Sequence, residues 1–104
     1  EVGEEDFELL SNSITVNWTE KNGVRKKTKE FYKKKGSSIN IRLQIAPKTK
    51  SVKVGYLDAD KVKHYKTVKA KINHNFIIQK TGYIEVFVEN SSGKTVTASG
   101  TYTK

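Results

Sequence analysis

Side chains that switch faces at every step constrain this chain more than any other feature. In the segment 39–45, Ile39, Ile41, Leu43 and Ile45 alternate with Asn40, Arg42 and Gln44. Ile14, Val16 and Trp18 are set in the same way against Thr15, Asn17 and Thr19. A period of two marks a strand with one buried and one wet face. The pattern returns at Val52, Val54 and Tyr56, weakly at Val62, His64 and Val68, then at Ile72, His74, Phe76 and Ile78. It closes with Ile84, Val86 and Val88, and with Val96, Ala98, Gly100 and Tyr102. No segment sustains a helical period. Turn signals separate the runs: Asn22-Gly23, Lys33 to Ser38, Pro47, Leu57 to Asp60, Gly82 and Asn90 to Gly93. Asn22-Gly23 predicts a hairpin whose returning arm, Val24 to Tyr32, is a lysine-guarded edge strand. The expected fold is all-β: an antiparallel β-sandwich of about eight strands, jelly-roll or Ig-like. Its expected core is Ile14, Val16, Trp18, Ile39, Ile41, Leu43, Val54, Phe76, Ile84, Val86 and Val88.

With 104 residues, 35% of them hydrophobic, there is material for one modest core. The expectation is a single domain over 1–104, with residues 1–8 as an acidic flexible lead whose end docks through Phe7, Leu9 and Leu10. Regular spacing of β-branched and aromatic residues argues against disorder. There is no cysteine, which excludes disulfide and thiol chemistry. No apolar run approaches the ~18 residues of a membrane helix. The chain starts at Glu1 and lacks methionine, so a processed start is expected, by signal-peptide removal or by trimming.

Charge is sorted along the sequence. Residues 1–20 carry six acids and no base, whereas residues 21–71 carry 17 bases against Glu30, Asp58 and Asp60, a local excess of 14. Of the 20 bases only Arg25 and Arg42 are arginine. Lysine is a hydrated point charge without the planar fork of arginine, so this excess suits diffuse attraction to anions more than exact readout. Lys21 to Lys35 packs eight bases into 15 residues together with Phe31 and Tyr32. Such a stretch fits an acidic glycan, a teichoic acid or an anionic membrane surface, and to a smaller extent single-stranded nucleic acid. It fits a solvated edge equally well.

Phe76 to Tyr102 reads as an apolar strand, a glycine turn at Gly82, alternating apolar residues ending in Asn90, a polar turn, and a strand ending Gly100-Thr101-Tyr102. This stretch resembles the closing strands of small jelly-roll-like sandwiches in secreted proteins of Gram-positive bacteria. It is also similar to the end of GOLD-type and pre-peptidase C-terminal β-sandwich domains. The resemblance implies an accessory, non-catalytic, extracellular domain and supplies no functional residues.

Catalytic apparatus is thin. His64 and His74 fall on adjacent strands and read as sheet histidines rather than a metal pair. Asp58 and Asp60 offer too few oxygens for calcium and read as a turn. Glu85 and Glu89 read as solvated residues, open to pairing with lysines. If Ile84, Val86 and Val88 face inward, Tyr83 and Phe87 face outward, either as a contact surface or covered by Phe7 or Leu9. In the second case the acidic lead masks part of the basic surface. Asn17-Trp18-Thr19 and Asn90-Ser91-Ser92 match the glycosylation sequon, to which no role is assigned. The expected function is a non-catalytic, secreted or cell-surface binding module without cofactor or metal. It would hold an anionic cell-wall polymer through Lys26, Lys27, Lys29, Lys33, Lys34 and Lys35, with Tyr83 and Phe87 as aromatic contacts. The alternative is a secreted protein-interaction factor, an inhibitor or toxin component, acting through loops and the Tyr83/Phe87 face.

Overall fold

A computed structural model describes residues 13–104; the acidic lead, with Phe7, Leu9 and Leu10, lies outside the described residues. Nine strands form: β1 (Ser13–Glu20), β2 (Val24–Lys27), β3 (Phe31–Lys33), β4 (Ser38–Ala46), β5 (Ser51–Leu57), β6 (Lys63–Lys69), β7 (Lys71–Ile77), β8 (Gly82–Asn90) and β9 (Val96–Thr103). Among the described residues there is no helix, and so none long and apolar enough to cross a membrane.

Two antiparallel sheets pack face to face. One has the order β1-β9-β4-β7; the other has the order β2-β8-β5-β6, with β3 continuing along β8 beyond β2. The pairings are nested: β1 with β9, β2 and β3 with β8, β4 with β7, and β5 with β6. A long antiparallel ribbon rolled into two layers gives this nesting, which is the jelly-roll arrangement.

The hairpin expected at Asn22-Gly23 does not form. The turn is present, with Gly23 at φ 87°, but β1 and β2 enter different sheets. Gly23 N–H donates to the Asn90 carbonyl (2.7 Å), and Gly93 N–H donates to Asn22 Oδ1 (2.8 Å). The turn therefore locks onto the β8–β9 connection rather than folding β2 back on β1. The β8–β9 connection likewise crosses between sheets, and among the described strands β5–β6 is the one pair consecutive in sequence that also adjoins within a sheet. The long returning arm splits at Thr28 to Glu30 into β2 and β3, which accounts for nine strands in place of eight.

The alternation reading of the core is correct at Val16, Ile39, Ile41, Leu43, Val54, Phe76, Ile84, Val86 and Val88, all buried; Ile14 and Trp18 are half-buried against it. Each fully buried aliphatic side chain contributes about 1.5–3 kcal/mol. Gly55 is required by packing, because a Cβ there would lie 1.9 Å from the His64 carbonyl oxygen.

One inward position breaks the pattern. Glu20 ends the inward row of β1, is fully buried, and among the described residues neither carboxyl oxygen has a hydrogen-bond partner. Burial raises its pKa from 4.5 to about 7; the charge of Lys26 opposes the rise and Glu89 adds to it. The folded state thus holds this proton more tightly than the unfolded chain. Its contribution is complete below pH 4.5 and is lost as pH rises through about 7. The difference amounts to ~3 kcal/mol. Glu20→Gln is expected to flatten this slope, raising stability at pH 8 and changing it little at pH 4. Denaturant melts across the pH range check this; parallel slopes for the two proteins would contradict it.

Candidate anion-binding end

One end of the sandwich gathers the β3–β4 turn, the β5–β6 turn and the β7–β8 turn. Alternation places Phe31 and Ile84, which are register partners, toward the core. Phe31 stacks on Tyr102 with ring centroids 5.8 Å apart. The next pair, Tyr32 and Tyr83, must then face outward. These rings meet edge to face at 5.6 Å and are 52% and 58% exposed, a large apolar surface held open to water.

The lysine turn is fastened beside them. Lys33 pairs with Gly82, and Lys35 N–H donates to Thr81 Oγ1 (2.8 Å). Gly36 N–H donates to the Ile78 carbonyl (2.8 Å), while Ile78 N–H donates to the Ser37 carbonyl (2.8 Å). Ser37 Oγ closes the turn by donating to the Lys34 carbonyl (2.5 Å). Gly82, at φ 153°, admits the neighbouring turn: a Cβ there would lie 2.6 Å from Ala59 Cβ. Among the described residues none of the ammonium groups of Lys33, Lys34 and Lys35 takes part in an ion pair.

The remaining predicted lysines are placed elsewhere. Lys27 Nζ lies 3.5 Å from Glu85. Lys26 pairs with inward-facing Val88, and its charge acts on Glu20. Lys29 is exposed on a groove with Ile14, Trp18 and Lys104. Phe87 requires a correction: it faces away from the core as alternation demands, yet it is completely buried. It lies between Gly55 of β5 and Lys27 of β2, and its strand neighbours on this face are Glu85 and Glu89. Lysines from flanking segments converge on those carboxylates. Lys61 bonds Glu85 (2.9 Å) and Glu30 (3.0 Å), and Lys63 bonds Glu89 (2.7 Å). With Phe87 buried and both carboxylates paired to lysines, this middle of the face is a closed layer rather than a contact surface.

The carboxylates respond accordingly. Burial pushes the Glu85 carboxyl up, but hydrogen bonding from Lys61 and the charge of Lys27 hold it below the ordinary value. Its burial corrects the expectation of a solvated residue. The Lys63 hydrogen bond does the same for Glu89 against a smaller burial effect.

The histidines are not neighbours on one sheet face. His64 faces inward from β6 and His74 from β7, which are edge strands of different sheets, and both line one groove with Tyr56 and Phe76. His64 Nε2 lies 2.9 Å from Asp58 Oδ2, and its ring stacks on Tyr56 at 4.6 Å. Asp58 Oδ1 accepts from Asp60 N–H (2.8 Å) and Val62 N–H (3.0 Å), the turn read from sequence. Burial raises the Asp58 pKa, but these bonds and the one to His64 bring it below its usual value. Among the described residues no group of three His, Cys, Asp or Glu side chains is placed to hold a metal ion. Asn90 of the second sequon is buried, bonding Glu20 and Lys94 carbonyls through Nδ2.

Sequence reading omitted Tyr32 from the site. Its signal was available: with Phe31 in the core, the next residue must point outward beside the lysines. Compared with protein-family models, curated proteins and solved structures, the chain matches none.

Lys61→Ala is expected to raise the Glu85 pKa, since burial then acts against Lys27 alone. The stabilisation that a depressed carboxyl confers above pH 4.5 and loses on acidification should shrink with it. Carboxyl NMR titration checks this; an unmoved Glu85 titration would contradict it.

Proposed function

We propose that the chain is a non-catalytic, secreted or cell-surface binding module that holds an anionic, ring-bearing polymer of the cell-wall glycan or teichoic acid class. The observation that carries this reading is the exposed Tyr32–Tyr83 pair next to three lysines that lack carboxylate partners among the described residues. Elsewhere on the same sheet face Lys27, Lys61 and Lys63 are matched to Glu85 and Glu89, so their charge is satisfied internally. A ring face offers flat apolar contact to sugar rings, and free ammonium groups supply long-range attraction to phosphate or carboxylate. Lysine point charges tolerate many anion positions, which suits a repetitive polymer.

Retention on purified teichoic acid and on heparin should fall steeply with salt. Replacing Lys33, Lys34 and Lys35 together by Ser is expected to weaken binding roughly tenfold or more and to flatten the salt dependence by about three charges. Tyr32→Ala or Tyr83→Ala should lower affinity about threefold to tenfold without changing the salt slope. Lys26→Ser should do little. Equal loss from Lys26→Ser and from the triple variant would reduce the effect to bulk charge and end the proposal of a defined site.

A further inference from the structure

Backbone parity at the open edge of the first sheet carries a second inference, independent of the polymer reading. The Ala70 carbonyl accepts from Ile45 N–H (2.7 Å), while Ile78 bonds the segment leading into β4 through both its N–H and its carbonyl. Because strand bonding alternates, the even residues of β7 bond β4 and the odd residues, Lys71, Asn73, Asn75 and Ile77, direct their main-chain groups outward. The Ile77 carbonyl is satisfied by Tyr56 Oη–H (3.3 Å) and Gln79 Nε2–H (3.2 Å). Among the described residues, Asn73 and Asn75 have no main-chain partner on that side.

The chemistry of this edge differs from that of both edges of the second sheet. β2 presents Arg25, Lys26 and Lys27, and β6 presents Lys63, Lys66 and Lys69. Lysines guard an edge against pairing. From Ile72 to Gln79 the sequence has no charged residue, no proline and no glycine, and Ile77 is 52% exposed. In a chain of net charge +9, two copies repel through most surfaces. β1, the other edge of this sheet, also lacks lysine but ends in Glu20, whereas β7 is an edge on which two copies meet with neither lysine facing lysine nor acid facing acid.

We infer that β7 pairs antiparallel with β7 of a second copy of this chain, joining two four-stranded sheets into one. Centred on His74, the pairing sets Asn73 against the partner's Asn75 and Ile72 against the partner's Phe76. Asparagine then meets asparagine on the outer face, where Lys71 stands against the exposed Ile77, and Ile72 meets Phe76 on the inner face on either side of the His74 pair. The odd residues exchange the outward main-chain bonds. The two His74 residues form the central non-hydrogen-bonded pair, where Cα atoms approach to about 4.5 Å.

Sedimentation of the full chain across three decades of concentration, up to about 1 mM, tests this. A reversible dimer is expected. Asn75→Pro removes an outward N–H while sparing the β4 ladder, and Ile77→Lys adds a guard charge; each should weaken dimerisation about tenfold or more with an unchanged circular dichroism spectrum. In this cysteine-free chain, His74→Cys should give an oxidised, disulfide-linked dimer, whereas Thr67→Cys on β6 should not. A wild-type chain that stays monomeric throughout overturns the inference, as does a dimer that both β7 variants leave intact.

Discussion

Burying both faces of β8 is the constraint from which most of this molecule follows. Its inner row, Ile84, Val86 and Val88, lies in the space between the sheets. Its outer row, Glu85, Phe87 and Glu89, includes a fully buried phenylalanine on a face that a two-layer sandwich leaves to water. A buried ring flanked by carboxylates is stable only if something covers the ring and neutralises the acids. Lys27, Lys61 and Lys63, drawn from β2, the β5–β6 turn and β6, neutralise the acids. Part of the basic excess is therefore structural, holding the outer layer of the second sheet together.

The surplus bases acquire meaning by contrast. Where β8 begins, its outward side chain is Tyr83 rather than Glu85, and the opposing strand supplies Tyr32 and then the lysine turn. Among the described residues Lys33, Lys34 and Lys35 form no ion pair there. A single strand thus passes from a self-satisfied ionic layer to an exposed ring pair beside unmatched charge. Glu20 shows the opposite case, a carboxyl whose burial, unmatched by an ion pair among the described residues, pushes its pKa up to about 7.

Strand spacing, the face of each apolar residue and most core positions were legible in the sequence, because alternation is a local property of the chain. Pairing was not. Asn22-Gly23 carries the strongest local hairpin signal, yet its turn links two sheets, since β1 has β9 as partner and β2 has β8. The outward orientation of Phe87 was read correctly and its exposure was not. Whether an outward residue meets water depends on its cross-strand neighbours, here Gly55 and Lys27, which lie far away in sequence. Of the predicted contacts, Lys33, Lys34, Lys35 and Tyr83 come together at one end, whereas Lys26, Lys27 and Lys29 are dispersed.

By itself the sequence determined an all-β chain with one apolar face per strand and a lysine-rich exterior. The period of side chains and the count of charges need no knowledge of neighbours. Tertiary structure alone decided which strands adjoin, which lysines are spent on carboxylates and which rings stay uncovered. Each of those outcomes depends on residues dozens of positions apart being brought within a few ångströms.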